Sequence, residues 1–204
     1  MVIDKDKYKL GINNYFNEVT KKSIIVIGNT FNVNMRHVNG WENRLFGRYK
    51  KTATFTINLK GEIYQHFDTD YYCNFLNDEL LNKKTISILL ENEGYLFKNI
   101  DKKNYITYMG DIYIREDDVF FKKWKGFHNW APYSQEQLNS ISELTKILCD
   151  EHDIEKNIMT HNTKINNIYD FKGVCYKSNL NNKYNEVNPC WFFEGFSKKV
   201  TYGI

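Results

Sequence analysis

The apolar run S-I-I-V-I-G-N-T at residues 23–30 limits the possible folds of this chain more than any other stretch. Four β-branched residues follow one another in it with no polar residue between them, and this pattern predicts a strand buried on both faces. In α/β sheets, ligands bind beyond the carboxyl ends of such strands. We therefore expect Asn29 and Thr30, which end this run, to border a cleft.

The rest of the chain predicts helices and further strands around that strand. Alternating apolar residues around a Lys-Gly turn predict a hairpin at 52–67, and a second apolar run predicts a buried strand at 85–92. Ser134 and Gln137 form a capping-box pattern, which predicts a helix over 135–151. The remaining segments are predicted as a polar, weakly helical lead-in (1–22), a long loop with one helical turn (31–51), a short helix (within 68–84), an extra strand pair or irregular insertion (93–131) and a loop-rich tail (164–204).

Composition narrows the function classes. The chain has 204 residues, 42% of them hydrophobic, which suits one domain with a substantial core. A formal net charge of +3 argues against a dedicated nucleic-acid binder, and no apolar run reaches the 18 residues of a membrane span. The N-terminus lacks a secretory h-region, so we expect a cytoplasmic protein, in the host cytoplasm if it is phage-encoded, as its Asn- and Lys-rich, Pro-poor composition indicates. The four scattered cysteines predict free thiols.

Several short motifs occur in a characteristic order. They are G-E-I-Y-Q at 61–65, I-S-I-L-L-E-N at 86–92, W-A-P-Y-S before the predicted helix, a histidine at 161 and a late N-P-C at 188–190. Together they resemble the zinc-dependent N-acetylmuramoyl-L-alanine amidases and peptidoglycan-recognition proteins of the phage-endolysin type. The resemblance implies a single amidase-like domain over 23–204, with a central mixed sheet flanked by helices, and it makes 93–131 an insertion.

The resemblance implies zinc held by three ligands: a histidine after the first strand, a histidine after the long helix, and a Cys or Asp before a late proline. Carried onto this sequence, those places are Asn29, His161 and Asn188. An amide oxygen is a weak zinc donor compared with imidazole, thiolate or carboxylate. Two further family groups are also missing, because Leu89 stands where an acid is expected and residues 53–54 are Ala-Thr where a Tyr is expected. These departures favour a retained fold with a degenerate zinc site.

One alternative restores a metal site. His37, His161 and Cys190 would form a normal catalytic zinc set if their loops folded inward. Metal would then be a cofactor of this chain, whereas the favoured interpretation has no cofactor. A shift of two residues in the match around 186–191 would also partly restore the metal site, because it places Cys190 instead of Asn188 at the position of the third ligand.

The predicted ligand-binding residues lie at the strand end, in the loop that follows it, or in the late segments where the resemblance places zinc ligands. They are Asn29, Thr30, Arg36, Trp41, His161, Asn188 and Trp191. Basic and aromatic side chains among them suit a carboxylate, a phosphate or a sugar face. Three functions remain open. The favoured one is a pseudoenzyme that binds a muropeptide-like fragment or another small anionic molecule, such as a signal that it sequesters, without hydrolysis. The others are an active zinc amidase with relocated ligands and a structural virion protein.

Overall fold

Two sheets and several helices make up the protein, as a computed structural model describes it for residues 1–99, 101, 104–161 and 163–203. Within these residues the strands are β1 (Ile3–Asp4), β2 (Ile24–Asn29), β3 (Phe55–Ile57), β4 (Ile63–Gln65), β5 (Thr85–Leu90), β6 (Tyr95–Asn99), β7 (Asn104–Thr107), β8 (Ile112–Tyr113), β9 (Phe120–Trp124), β10 (Phe127–Trp130) and β11 (Gly173–Tyr176). The α-helices are α1 (Arg36–Asn43), α2 (Glu79–Lys84), α3 (Gln135–Glu151), α4 (Lys177–Leu180) and α5 (Phe193–Tyr202).

The central sheet is mixed and has the order β1-β4-β3-β5-β2-β11. Strand β2 runs parallel to both of its neighbours, β5 and β11, and every one of its residues is buried. Its alternate side chains enter two separate cores, with Ile25 and Ile27 on one face and Ile24 and Val26 on the other. This confirms the predicted strand and its burial on both faces.

Helices cover both faces of that sheet. On one face α3 and α5 pack over the core that contains Ile25 and Ile27, and on the other α1 contributes Val38 and Trp41. Helix α3 begins with the predicted capping box, because the Ser134 hydroxyl accepts the N–H of Gln137 while the Gln137 side chain accepts the N–H of Ser134. The hairpin β3–β4 and the short helix α2 are also as predicted. The single α/β domain with a mixed sheet flanked by helices is thus confirmed.

The segment 93–131 forms more structure than the expected strand pair. It builds a second, antiparallel sheet with the order β8-β7-β6-β10-β9. A small core of its own includes Leu96, Tyr113 and Val119. The N–H of Ala131 donates to the carbonyl of Gly94, which closes the base of this insertion. Residues 100 and 102–103 of the predicted insertion, residue 162 and residue 204 lie outside the described part of the chain.

Three other segments contain more regular structure than the sequence predicts. The lead-in forms one short 3-10 helix at Ile12–Asn14 and also supplies β1, which pairs with β4. In the segment 31–51, the expected helical turn is the two-turn helix α1. The tail is loop-rich as predicted, and it also provides the edge strand β11 and the helix α5. Among the described residues, none of the helices combines the length and the hydropathy that crossing a membrane requires.

Candidate functional site

The parallel strands bring three chain segments to one edge of the central sheet. Strands β2, β5 and β11 end at Asn29, Leu90 and Tyr176, and their pairing places these ends side by side. The residues that follow, Thr30 and Lys177 among them, therefore meet at the edge where α/β sheets bind ligands.

A cleft of about 390 Å³ opens beside this edge. Helix α1 forms one wall, and Tyr108 and Met109, from the turn between β7 and β8 of the insertion, form part of the rim. Four of the residues predicted from sequence as ligand-binding line it: Asn29, Thr30, Arg36 and Trp41. His161, Asn188 and Trp191 do not belong to its lining.

The lining of the cleft is basic and aromatic. Its cationic side chains are those of Arg36, Arg44, Lys51 and Lys177, and its aromatic side chains are those of Phe31, Trp41, Tyr49, Phe75 and Tyr108. Among the described residues that line the cleft, none carries a carboxylate. Arg36 forms an exposed ion pair of 2.5 Å with Asp111 of the insertion, so that a ligand would have to compete for this arginine. Charge and ring content together suit an anionic ligand.

Helix α1 is fixed at its start by a carboxylate that the sequence reasoning missed. Glu91 directly follows β5 and is buried, and its Oε1 accepts the N–H of Met35, the residue before the helix. Burial raises the pKa of this carboxyl, whereas hydrogen bonds from backbone amides, that of Met35 foremost, oppose the rise. The signal that could have found Glu91 is an acid placed directly at a strand end.

Two histidines join α1 to the hairpin. The Thr56 hydroxyl lies 3.0 Å from Nε2 of His37 and 2.8 Å from Nε2 of His66. Nδ1 of His66 donates to the carbonyl of Tyr8 at 2.8 Å, which leaves its Nε2 to accept the Thr56 proton. Burial lowers the pKa of His37 to about 3 and that of His66 to about 4, so both rings are neutral at pH 7. His37 therefore already has a hydrogen-bond partner within the fold, the Thr56 hydroxyl.

Asn29 and Asn188 belong to one buried hydrogen-bond cluster. The Tyr133 hydroxyl donates to Oδ1 of Asn29 at 2.9 Å and accepts the N–H of Asn188 at 3.0 Å. Nδ2 of Asn188 donates to Asn92 and to the carbonyl of Ala131. Nδ2 of Asn29 is buried and has no hydrogen-bond partner among the described residues. Because Tyr133 belongs to the core under α3, the Asn29 side chain is directed toward that face of the sheet.

Gly28 is the residue of β2 whose Cβ direction points at Lys177 and Glu186. A Cβ built on Gly28 would lie 2.9 Å from Cδ of Lys177 and 3.5 Å from Oε1 of Glu186. Nζ of Lys177 and Oε1 of Glu186 form an ion pair of 3.3 Å, with side-chain exposures of only 14% and 6%. Burial raises the pKa of the Glu186 carboxyl, while the Lys177 ammonium and the N–H of Asn29 oppose the rise. Neither member of this pair was singled out from the sequence.

His161 and Trp191 contact residues outside the lining of the cleft. Nε2 of His161 lies 3.0 Å from the carbonyl of Val187, and its ring centroid lies 5.1 Å from that of Trp124. Burial lowers the pKa of His161. Trp191 packs in the core under α3, where its Nε1 donates to the Tyr176 hydroxyl at 3.0 Å. The sequence signals that selected these two residues were their places in the motif order.

The side chains at the strand ends do not fit a zinc site. Catalytic zinc needs three ligands drawn from imidazole, thiolate and carboxylate. Within residues 1–99, 101, 104–161 and 163–203, no three His, Cys, Asp or Glu side chains are grouped so that they could hold a metal ion. The proposed rescue set is not assembled either, since His37 bonds Thr56, His161 bonds a carbonyl, and Sγ of Cys190 lies 3.7 Å from the carbonyl of Ala131.

The fold and the cleft at its strand ends define an α/β protein of the amidase type, and comparison with known proteins agrees. A sequence model of N-acetylmuramoyl-L-alanine amidases matches residues 19–172, which is more than half of the chain. The chain therefore belongs to the N-acetylmuramoyl-L-alanine amidase family. Among curated proteins, no relative matches its sequence.

Solved structures share this fold at low sequence identity. The amidase LysC from Clostridium intestinale is 13% identical with a TM-score of 0.58, over 98% of this chain and 97% of that one. The PlyG catalytic domain is 13% identical with a TM-score of 0.56, over 98% and 93%. The amidase AmiD from E. coli, solved with the substrate anhydro-N-acetylmuramic acid-L-Ala-D-gamma-Glu-L-Lys, is 13% identical with a TM-score of 0.57, over 90% and 59%. At such identity these matches concern the fold.

Proposed function

We propose that this member of the amidase family binds a small anionic ligand in the strand-end cleft and does not hydrolyse it through zinc. One observation carries the proposal: the cleft is open and basic, yet the described residues around it include no group of three His, Cys, Asp or Glu side chains placed to hold a metal ion. A lysine ammonium has no lone pair, and the lone pair of an amide nitrogen is delocalised into the carbonyl, so the lysine and asparagine side chains of the lining are suited to hydrogen bonding.

The charge of the lining supports an anionic ligand. Arg44 and Lys51 reach the cleft from opposite ends of the segment that follows α1, and both are exposed. The guanidinium carbon of Arg44 lies 5.3 Å from the ring centroid of Tyr49, so cation and ring present one combined surface. Such a surface can pair with a carboxylate or phosphate and stack against a flat or sugar group at the same time.

A cell-wall fragment is the ligand that family membership favours. The substrate bound by the E. coli amidase carries a muramic acid and a peptide with acidic groups. A muropeptide of this kind would bring carboxylates to Arg44 and Lys51. A different small anion, such as a phosphorylated signal, would use the same two side chains, so both ligand classes belong in one binding experiment.

Native mass spectrometry of the purified chain tests this proposal. The protein is incubated with soluble muropeptides and, separately, with the small-molecule fraction of a host lysate. We expect one of the two fractions to supply a ligand that adds a discrete mass to the protein. After denaturation, that ligand should be released with its original mass. The double variant Arg44→Gln/Lys51→Gln should weaken that binding by about tenfold or more, since each lost charge-assisted hydrogen bond costs about 1.5–3 kcal/mol.

A matched variant controls for net charge. Lys164→Gln/Lys198→Gln removes the same charge from exposed positions that do not line the cleft, and it should bind as the unmodified chain does. If both fractions leave the protein without added mass, the binding proposal is wrong, and a structural role becomes the better interpretation. Release of free peptide from a muropeptide would instead favour the active amidase, which family membership keeps as the second candidate.

A further inference from the structure

The buried Lys177–Glu186 ion pair joins three separate segments at the strand-end edge. Lys177 follows β11, Glu186 lies in the segment before Pro189, and both side chains pass beside Gly28 of β2. These are the end of the first strand, a position after the long helix and a position before the late proline. The resembling enzymes draw their metal ligands from those same three kinds of place.

We infer that the Lys177–Glu186 ion pair occupies the place of the metal in this chain and holds together the three segments that a metal would otherwise join. The inference concerns the architecture of the site and goes beyond the proposed ligand binding. It also revises the assignment from sequence, because it replaces Asn29, His161 and Asn188 by Gly28, Lys177 and Glu186 as the positions of the lost ligands.

Position on the sheet supports this assignment. The Asn29 side chain is directed to Tyr133 on the α3 side, whereas a side chain at Gly28 would point at Lys177, Leu89 and Glu186. Leu89 and Lys177 both line the cleft. Adjacent residues of a strand point to opposite sides. A side chain at position 28 would therefore share the α1 side with Ile24 and Val26. The Asn29 amide, although Asn29 borders the cleft, is turned toward Tyr133.

The contacts of the pair show that it acts as a cross-link. The ammonium of Lys177 lies 4.4 Å from the ring centroid of Phe75, on the cleft side. The carboxylate of Glu186 faces the backbone N–H of Asn29, and the carbonyl of Glu186 accepts the N–H of Ser178 at 2.6 Å. The pair and its backbone neighbours thus tie the end of β2 to the start of α4 and to the segment around 186.

The same geometry opposes metal binding. An ammonium has no lone pair to donate, and its positive charge repels a divalent cation at short range. The stem of Lys177 also fills the space that a side chain at Gly28 would need. A metal could return only if the lysine were replaced and a ligand were added at position 28.

Two grafted variants test the inference against the assignment from sequence. The first, Gly28→His/Lys177→His/Glu186→Asp, places zinc ligands at the positions of the ion pair. The second, Asn29→His/Asn188→Asp, completes a zinc set around the native His161. After loading with zinc and dialysis, we expect the first variant to retain stoichiometric zinc and to unfold at a higher temperature with zinc than with a chelator. The second variant and the unmodified chain should retain none.

Zinc retained by the second graft but not by the folded first graft would overturn the inference. If the first graft does not fold, the single variants Lys177→Met and Glu186→Leu and their double variant decide instead. We expect each single variant to lower the midpoint of urea unfolding more than the double variant does, since each leaves a buried polar group unpaired. Independent, additive losses would contradict a cross-linking pair. Neither experiment uses a ligand, so its outcome is separate from the binding proposal.

Discussion

At the scale of single residues, Glu186 is a carboxylate that is almost completely removed from water. It is 4% exposed, and the Lys177 ammonium neutralises it. Removing one member of a buried ion pair leaves the other charge without compensation, which costs about 3–5 kcal/mol. We therefore expect Glu186→Gln to lower the free energy of unfolding by about 3 kcal/mol in urea titrations.

The exposed pair of Lys172 and Glu155 provides the control, with side-chain exposures of 63% and 61%. The same substitution there, Glu155→Gln, should change the free energy of unfolding by less than about 1 kcal/mol, because solvent already screens that pair. Equal losses in the two variants would show that burial of the Lys177–Glu186 pair does not matter.

Tyr133 offers a second prediction at this scale. Its buried hydroxyl serves Asn29 and Asn188 at once, so Tyr133→Phe leaves an acceptor and a donor unpaired without changing the ring. We expect a loss of about 1–3 kcal/mol in the free energy of unfolding. Tyr169→Phe is the matched control, since that hydroxyl bonds Asp78 at an exposed position. It should cost less than about 1 kcal/mol, and a loss as large as that of Tyr133→Phe would argue against the buried cluster.

Single residues also show why the candidate site was only partly predictable from the sequence. The run at 23–30 correctly indicated a strand end beside a cleft. A strand buried on both faces, however, shows no alternation, and so the sequence does not tell which of Gly28 and Asn29 points to the α1 side. Lys177 and Glu186 are nine positions apart in a segment without periodicity, so only the fold brings them together.

At the scale of elements, local patterns predicted β2, β5, the hairpin and α3, because each carries its own periodicity or capping signal. Strand β11 escaped detection because it is only four residues long and polar segments surround it. The second sheet was underestimated because several of its apolar side chains, such as Phe121 and Ile112, are exposed and do not alternate cleanly. Tertiary pairing stabilises these strands, and no local signal reports it.

His66 connects three elements and predicts a pH dependence. It links the lead-in through Tyr8, β3 through Thr56, and α1 through the shared contact of Thr56 with His37. Burial lowers its pKa from 6.5 to about 4 in the folded chain. Protonation therefore favours the unfolded chain: the stabilisation is complete above about pH 6.5 and is lost as the pH falls toward 4, by roughly 3 kcal/mol.

Urea titrations between pH 7 and pH 4 measure this dependence. His66→Gln should lower the free energy of unfolding at pH 7 and flatten its decline toward pH 4. His128→Gln, a substitution at an exposed histidine of β10, should leave the decline unchanged. An unaltered slope in His66→Gln would mean that this histidine is not held neutral by the fold.

At the scale of the whole molecule, the chain combines an amidase fold with a strand-end edge that carries the buried Lys177–Glu186 ion pair. The central sheet, α3 and the family match are those of an amidase. The insertion adds a rim to the cleft through Tyr108 and Met109, and the ion pair closes the edge of the sheet. These features together favour recognition of an anionic ligand over metal-dependent hydrolysis.

Zinc content is the most direct test of this account. The purified, unmodified chain is exposed to excess zinc, dialysed, and measured by elemental analysis and native mass spectrometry under the same conditions as a muropeptide hydrolysis assay. The account predicts a protein free of retained zinc, with no release of peptide. Stoichiometric zinc that is lost in His161→Ala, together with released peptide, would contradict it.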